Sequence, residues 1–550
     1  MNNMNFRTLD IIGGWIAFAI ATFTYVSTME PAVSFWDCGE FIACAYKLQV
    51  GHPPGAPLFL MIGRFFSMWT EPEQAAYMVN LISALSSSFT ILFLFWTISA
   101  LGRKILNKTS SEWSTGKTVA LLGSSMVGAL AYTFSDTFWF SAVEAEVYAM
   151  SSLFTAIVFW AILRWERVSE EPGADRWLIF IAYLMGLSIG VHLLNLLAIP
   201  AIAFVFYFKK FKPTLKGIGV TAAASILILG FVQKGVIPGL VTMSGKFELL
   251  FVNTLKMPFH TGAFVHVIIL MAAVVYGLIL THQSGDRKWK MMGVLVAIAL
   301  LVGSFTTMGM AAAGVIIGVF IMVPNIPDRA INTGLLCLSV ILIGYSSYTM
   351  ILVRSNANPP MDENNPENMF SLLSYLNREQ YGSQPIAYGQ YFNTPLDNKN
   401  PYTDGSPTYF QEFDEGKYTK SAHHKKTQPN YASEFMTVFP RMWSQEQRHI
   451  AAYKSWSDFK GKPMRYKVYG GKMETINKPT FGENITFFFS HQVNWMYWRY
   501  FFWNFAGRQN DVQGHGGVID GNWISGIDAF DSVRLGDQSN LPESIASHQA

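Results

Sequence analysis

The sequence predicts a polytopic α-helical membrane protein with about eleven transmembrane helices and a C-terminal α+β domain outside the membrane. Of its 550 residues, 51% are hydrophobic and only 14% are charged, whereas soluble domains carry about 25% charged residues. A helix needs about 20 apolar residues to cross a bilayer. Apolar runs near this length recur over residues 1–353. Aromatic residues make up 15% of the chain, which fits belts at the membrane surface.

The composition also disfavours several classes of protein. The net charge is only +3 and no basic run stands out, so we expect no nucleic-acid partner. Three cysteines without a Cys-x-x-Cys motif predict neither a disulfide framework nor a cysteine metal site. The sequence has no Gly-rich phosphate loop, no Gly-x-Ser-x-Gly and no His-Glu-x-x-His motif, which disfavours nucleotide-driven machines and proteases.

Eleven spans follow once two long apolar runs, 177–208 and 291–323, are each divided into two short helices. The first apolar stretch runs on into Met29-Glu30-Pro31 without a small-residue cleavage site, so we expect an uncleaved span there. The predicted spans are 11–28, 75–100, 118–136, 138–163, 177–191, 193–208, 216–234, 262–281, 291–306, 307–323 and 330–352.

Orientation follows from the Lys and Arg residues of the short loops, which favour the cytoplasmic side. The basic loops are 103–117, 164–176, 209–216 and 287–290. They predict a cytoplasmic N-terminus, a long first outer loop at 29–74 and a shorter outer loop at 235–261. The domains are then a transmembrane domain at 1–353 and an outer domain at 354–550, where frequent Gly, Pro, Tyr and Asn indicate a loop-rich α+β fold.

The first outer loop carries two carboxylates, Asp37 and Glu40, three residues apart. On a helix they would share one face. Beside aromatic rings at the membrane boundary, such a carboxylate is expected to be partly desolvated, which raises its pKa and suits a general base. The alternative is a pair of solvated loop acids beside an interfacial Trp.

Further along the loop, His52 lies in a turn of three prolines and two glycines that cannot be helical. This rigid support would let the ring contact a phosphate or sugar oxygen, although an incidental His in a structural turn is an equal alternative. Glu144 and Glu146 fall within an apolar span near its outer end. Carboxylates inside a bilayer are costly and indicate function by default, unless both reach the interface. Two residues apart on a helix, they would point to different sides.

His192 and Asn195 are predicted to share a helical face at an outer turn, on the same side as Asp37 and Glu144. A His hydrogen-bonded to a neighbouring helix is the common alternative. Arg354 ends the last span, where a lipid phosphate would lie and where an Arg could bind it through two hydrogen bonds. An ordinary interfacial Arg explains that position better from the residues alone.

An aromatic cluster at 494–505 contains Trp495 and Arg499, with amides and arginines between its rings. Aromatic faces with polar edges suit recognition of a sugar or a peptide. They suit equally a helix that lies on the membrane surface.

Taken together, several blocks resemble the transmembrane protein O-mannosyltransferase-like family, within the polytopic GT-C glycosyltransferases and abundant in Bacteroidota. The blocks are SFWDCGEFIACAYKLQVGHPPGAPLF, SDTFWFSAVEAEVYAM, GLSIGVHLLNLL, NANPPMDENNPENMFSLLSYLNREQYG and WMYWRYFFWNFAGRQND. They extend from residue 34 to about 511.

The resemblance implies a GT-C-like fold in a bacterial inner membrane, with the C-terminal domain in the periplasm. It implies transfer of mannose or another hexose from a polyprenyl-phosphate carrier to Ser or Thr hydroxyls of exported proteins. Asp37 would be the general base, with Glu40 as helper or alternative base. Glu144 and Glu146 would contact acceptor or sugar, and His52, His192 and Arg354 the donor phosphate. Because a lipid phosphate leaves readily, neither a metal nor another cofactor is obligatory.

Relatives in this family continue into further membrane spans, whereas the present sequence ends at Ala550 after a polar stretch. This departure implies a split or shortened member, or a fragment of a longer one. For a split member, a partner subunit would supply the missing C-terminal spans.

Two other hypotheses stay open. A transporter or lipid-linked-sugar flippase fits many spans with buried Glu and His, but no inverted repeat is evident and the outer domain would lack a role. A non-catalytic subunit of an envelope glycosylation complex fits the short chain, and it predicts that Asp37 and Glu144 tolerate alanine.

Overall fold

The computed structural model describes residues 4–109, 114–283 and 326–537, apart from 383, 406 and 421–426, together with isolated positions between 289 and 301. The chain divides into two compact units. The first comprises Met1–Gln380 and Gln411–Tyr418, and the second comprises Tyr381–Phe410 and Thr419–Ala550.

The described part of the first unit is mostly helical, apart from its connecting loops and the strand residues within 411–418. Its helices, in chain order, are α1 (Met4–Thr28), α2 (Cys38–Lys47), α3 (Pro57–Ser67), α4 (Ala75–Thr109), α5 (Thr115–Thr133), α6 (Asp136–Ala142), α7 (Val147–Val168), α8 (Arg176–Ile189), α9 (Ile199–Lys210), α10 (Leu215–Gly230), α11 (Ile237–Glu248), α12 (Thr261–His282), α13 (Asp328–Tyr345), α14 (Thr349–Ser355) and α15 (Met369–Leu376). Short 3₁₀ turns precede α4, α9 and α14.

Within the described residues, seven helices are long and apolar enough to cross a membrane, or eight if the bent pair α5 and α6 forms one span. The seven are Phe6–Thr28, Pro72–Leu106, Val147–Val168, Leu193–Lys210, Leu215–Thr254, Thr261–His282 and Asp328–Ser355. The predicted span 177–191 corresponds to the shorter apolar helix α8. The predicted spans 291–306 and 307–323 lie outside the described residues, apart from isolated positions. A mostly helical protein with several apolar spans is therefore confirmed.

Two predicted boundaries are wrong. The span predicted at 138–163 is interrupted at 143–146, between α6 and α7. Two buried carboxylates occupy this break, and there they find polar partners that an unbroken apolar helix would not offer them. The outer loop predicted at 235–261 is helical as far as Thr254, because two π-helical segments, Phe231–Val236 and Leu249–Thr254, continue α10 and α11.

Close packing of α8 against α13 depends on two glycines. A Cβ on Gly186 would lie 2.7 Å from the Ile341 carbonyl oxygen, and a Cβ on Gly344 would lie 2.4 Å from the Gly186 carbonyl carbon. Small residues let membrane helices approach this closely, so that dispersion forces between the backbones hold the pair together. Elsewhere in the first unit, α4 packs between α1 and α7.

The second unit is an assembly of short antiparallel strand pairs and helices, which confirms the predicted mixture of helices and strands. The strands of the chain are β1 (Tyr388–Gln390), β2 (Tyr402–Asp404), β3 (Tyr409–Glu412), β4 (Lys417–Lys420), β5 (Thr427–Pro429), β6 (Met436–Val438), β7 (Lys462–Lys467) and β8 (Met473–Lys478). Residues 411–412 of β3 and 417–418 of β4 count with the first unit, and all other strand residues with the second. They pair as β1 with β6, β2 with β5, β3 with β4, and β7 with β8. The helices are α16 (Gln447–Ser457), α17 (Phe481–Phe487), the π-helical segment Phe488–Trp498, α18 (Arg499–Phe505) and α19 (Asp528–Leu535). A small apolar core joins them, made of Tyr391, Phe392, Met442, Tyr453 and Phe487.

Candidate functional site

The N-terminus of α2 positions the two carboxylates of the first outer loop. Asp37 is the residue before the helix, and its carbonyl accepts a hydrogen bond from Phe41 N at 2.9 Å. Glu40 lies in the first turn, where the helix dipole favours negative charge. The Asp37 side chain is 58% exposed and that of Glu40 only 25%. Asp37 is therefore the more exposed of the two acids, and the partial burial expected for this loop falls mainly on Glu40.

His52 bridges these two acids. Its Nδ1 lies 2.9 Å from Glu40 Oε1, which also accepts the His52 backbone N–H at 2.5 Å, and its Nε2 lies 4.0 Å from Asp37 Oδ2. Gly51 permits the approach, because a Cβ there would lie 2.6 Å from Glu40 Oε1. The turn is closed by a hydrogen bond from Gly55 N to the His52 carbonyl at 2.8 Å.

Glu40 and His52 each stabilise the charged form of the other. Burial acts to raise the pKa of Glu40, but the hydrogen bonds from the His52 ring and backbone outweigh it and leave that pKa below its ordinary value. The hydrogen bond to Glu40 raises the pKa of His52, against the opposing effect of burial. Because Nδ1–H points to Glu40, Nε2 is the ring atom that faces Asp37.

Glu144 and Glu146 occupy the break between α6 and α7, so the prediction that they project from one helix is wrong. Glu144 Oε2 accepts the Ser34 hydroxyl at 2.9 Å and also contacts the Cys38 thiol. Glu146 starts α7 and accepts the Val147 N–H at 3.1 Å.

Both carboxylates are buried, with exposed fractions of 4% for Glu144 and 7% for Glu146. Burial raises the pKa of Glu144 and raises that of Glu146 to about 7. The negative charge of Asp37 adds to the rise at Glu146, so the break and the first outer loop share one electrostatic environment.

His192 lies beside this group but does not share a helical face with Asn195, contrary to expectation. Its backbone is extended, its Nδ1 accepts the Leu194 N–H at 3.2 Å, and its ring lies 5.4 Å from that of Tyr148. Asn195 is fully buried in the following 3₁₀ turn and donates to Ser188 Oγ at 3.1 Å. Asn195 thus fixes the turn that presents His192.

Other predicted site residues lie elsewhere. Arg354 Nε donates to the Leu48 carbonyl at 2.5 Å, just past the C-terminus of α2. Since α2 has ten residues, about 15 Å of helix separates that contact from Asp37. Trp495 and Arg499 belong to the second unit, where both are buried. Arg499 stacks on Trp495, 4.1 Å from its ring centroid, and donates to the carbonyls of Gln513 and Gly521.

Sequence reasoning missed two residues that build the site. Ser34 holds Glu144, and Tyr375 donates to the Gly51 carbonyl at 2.5 Å and so supports the His52 turn. Both lie in blocks that carry the family resemblance, which was the available signal. Their partners are more than 100 positions away along the chain, and no local pattern reveals them.

Asp37, Glu40 and His52 each offer a ligand atom within 4.8 Å of the others, a spacing that could hold a metal ion. Carboxylate oxygen and imidazole nitrogen suit several divalent metals. A metal-free reaction stays a prediction.

Comparison with known proteins shows which protein families this region and the second unit resemble. Residues 37–215 match the family model described as the Protein O-mannosyl-transferase TMEM260 N-terminal domain, and residues 382–489 match a family of unknown function, DUF8416. The chain is 28% identical over 201 residues to Protein O-mannosyl-transferase tmem260 of Dictyostelium discoideum, which covers 35% of this chain and 22% of that protein. It is 26% identical over 186 residues to Protein O-mannosyl-transferase TMEM260 of Mus musculus, which covers 33% of this chain and 24% of that protein.

Each alignment thus spans less than a quarter of the relative's own length. The matched region contains both catalytic candidates, His52, the two buried glutamates and His192. The resemblance predicted from the sequence is thereby confirmed: residues 37–215 are similar to the N-terminal domain of the protein O-mannosyl-transferase TMEM260 family.

Proposed function

We propose that this protein is a GT-C-type membrane glycosyltransferase that moves a hexose, mannose by analogy with its relatives, from a polyprenyl-phosphate carrier to Ser or Thr hydroxyls of exported proteins. One observation carries the proposal. In the region related to protein O-mannosyltransferases, an exposed carboxylate, a His–Glu pair and two buried glutamates gather outside the candidate spans.

The chemistry follows from these groups. The acceptor hydroxyl is a weak nucleophile and needs a base at the moment of attack. Asp37, the exposed acid of the cluster, takes the hydroxyl proton while the acceptor oxygen bonds to the anomeric carbon. The bond from that carbon to the phosphate oxygen breaks, and the lipid phosphate leaves with the electron pair. Glu40 holds His52 with Nε2 towards Asp37, and the raised pKa of His52 favours the imidazolium that stabilises the Asp37 carboxylate.

Glu144 and Glu146 bind hydroxyl groups of acceptor or sugar in this scheme. Burial raises their pKa values, so that near neutral pH Glu146 has both protonated and ionised forms. A protonated carboxyl donates a hydrogen bond and an ionised one accepts, which suits contact with hydroxyls that do both.

An apolar cavity supports a lipid-linked donor. It has a volume of about 560 Å³ and is lined mainly by aliphatic side chains of α11, α12, α13 and α15. Tyr348 lines it and places its hydroxyl 3.5 Å from the Gly55 carbonyl, in the turn that follows His52. A prenyl chain buried there would bring a polar head towards the cluster.

The test is a transfer assay with purified protein, polyprenyl-phosphate mannose and Ser/Thr peptides. Transfer is measured by mass spectrometry as an increase in the mass of the peptide. Wild type is expected to add a hexose, and Asp37→Asn to lose at least about 10²-fold in rate, since general bases contribute about 10²–10⁴-fold. Glu73→Gln, an exposed acid of the same loop, is the matched control and should keep its activity.

Unchanged activity in Asp37→Asn, at equal expression, would remove Asp37 from the role of base. If wild type shows no transfer either alone or with a membrane extract that supplies a partner subunit, the glycosyltransferase proposal fails.

A further inference from the structure

The segment after α14 packs against the first outer loop. Val50 N donates to the Met361 carbonyl at 3.0 Å, and Glu363 N donates back to the Val50 carbonyl at 3.1 Å. Asn368 then caps α15 by accepting the N–H groups of Phe370 and Ser371. Residues 361–376 are thereby held against the loop that carries the candidate site.

Tyr375 fixes the end of α15 beside His52. Its side chain is 1% exposed, and its hydroxyl lies 2.5 Å from the Gly51 carbonyl and 3.4 Å from the His52 carbonyl. Gly55 leaves room for the ring, because a Cβ there would lie 2.6 Å from the Tyr375 hydroxyl. The contact anchors α15 to both sides of the His52 turn.

Arg378 follows this anchor directly. Its backbone N–H donates to the Tyr375 carbonyl at 3.0 Å, and its φ of 55° turns the chain out of the helix. The residue is exposed. Its positive charge acts on the two imidazoles of the site. Burial is the main cause that lowers the pKa of His192, and the charge of Arg378 lowers it further. The same charge opposes the rise in the pKa of His52.

The backbone contacts place Arg378 next to the His52 turn, and its charge acts on both His52 and His192. A guanidinium and an imidazole thus accompany the four carboxylates of Asp37, Glu40, Glu144 and Glu146. A planar guanidinium binds phosphate oxygens through two parallel hydrogen bonds, and imidazole can add a third donor. Arg354 cannot do this from its present position, because it is bonded to carbonyls at the far end of α2.

We propose that Arg378, assisted by His192, binds the phosphate of the lipid donor and stabilises its charge as it leaves. This inference rests on the proposed function and names the residue that recognises the donor head group. Arg378 lies outside the matched region 37–215, so the comparisons assign it no role.

Binding without transfer tests this role separately from catalysis. The full chain in phosphatidylcholine nanodiscs is titrated with undecaprenyl monophosphate, and the Kd is read by native mass spectrometry. We expect Arg378→Gln to weaken binding at least about tenfold and Arg378→Lys to weaken it less, because an ammonium keeps the charge but loses the two-pronged contact. Arg448→Gln, at a 79% exposed arginine of the second unit, is the matched control and should leave the Kd unchanged.

Competition with millimolar inorganic phosphate distinguishes recognition of the phosphate alone from recognition that also needs the lipid chain. Competition by phosphate and the absence of competition both support the role, provided that Arg378→Gln weakens the binding of undecaprenyl monophosphate. A Kd for Arg378→Gln within twofold of wild type, or no binding by wild type, would overturn it. Arg378-dependent binding without any sugar transfer would preserve the phosphate-binding role of Arg378 and would count instead against the glycosyltransferase function.

Discussion

At the scale of single residues, the Glu40–His52 pair is the most strongly determined feature of the site. Both side chains are about three-quarters buried, and Glu40 accepts two hydrogen bonds from His52. Removal of the ring would leave the carboxylate desolvated with only the backbone donor, at a cost of about 1–3 kcal/mol. The pair should therefore contribute to folding as well as to the position of Nε2.

This contribution should depend on pH in a defined window. The pKa of His52 is raised by folding, so its share is fully present below the ordinary value of 6.5 and is lost as the pH rises through the raised value. The pKa of Glu40 is lowered, so its share is present above the ordinary value of 4.5 and is lost as the pH falls through the lowered value. The difference in thermal midpoint between wild type and His52→Gln should be largest between pH 4.5 and 6.5.

Differential scanning fluorimetry of the detergent-purified proteins over pH 4 to 9 measures this difference. Glu474→Gln, which removes an exposed surface pair with Lys472, should show no such window. A difference between wild type and His52→Gln that stays constant over the whole range would contradict the ion pair.

The sequence revealed the polar members of the site because each stood out against an apolar or Pro-rich background. Asp37, Glu40, His52 and the two buried glutamates were all found this way. Local patterns could not show that Tyr375 anchors the His52 turn, since the partners are 324 positions apart. Nor could they show that Arg354 donates its hydrogen bonds to carbonyls at the C-terminal end of α2, because hydrogen-bond partners depend on the tertiary fold.

At the scale of helices, apolar content predicted where spans exist but not where they break. The interruption at 143–146 arises from carboxylates whose partners, such as Ser34, come from a distant loop. Continuation of α10 as far as Thr254 depends on two π-helical segments, which have no simple sequence signal. Periodicity also cannot reveal which glycines face another helix.

One such glycine gives a prediction about packing. Gly186→Ala should destabilise the protein by about 1–3 kcal/mol, because the added methyl group meets the Ile341 backbone, which cannot rotate away. Gly123→Ala is the control, since a Cβ there has nothing within 4 Å and the helix gains from the better propensity of alanine. Thermal midpoints in the same detergent should fall for the first variant only. Equal midpoints would show that α8 and α13 separate without cost.

At the scale of the whole molecule, the site constrains how the chain crosses the membrane. Four segments meet there: the first outer loop, the break at 143–146, the turn at 190–192 and the stretch 356–380. Leu58 N, at the start of α3, donates to the Gly190 carbonyl at 2.8 Å, and Glu30 N donates to the Val143 carbonyl at 3.0 Å. A single site lies on one face of a bilayer, so each intervening part of the chain must cross an even number of times.

The described helices satisfy this condition if short α8 counts as a crossing. The helix α4 and the bent pair α5–α6 link the first loop to the break, and α7 and α8 link the break to the turn. Four candidate spans then follow before residue 356, and the two spans predicted within 291–323 keep the number even. This agrees with the orientation predicted from the basic loops, in which the first outer loop, and with it the candidate site, lies on the outer face.

Single cysteines test this orientation in intact cells that express the protein, with a membrane-impermeant maleimide. Glu73→Cys and Lys472→Cys should be labelled from outside, whereas Glu171→Cys, in a basic loop, should be labelled only after permeabilisation. Background labelling should be low, because Cys38 and Cys44 are buried and Cys337 is half-buried. Labelling of Glu171→Cys in intact cells would invert the topology. Labelling of Glu73→Cys without Lys472→Cys would instead contradict the predicted outer position of residues 354–550.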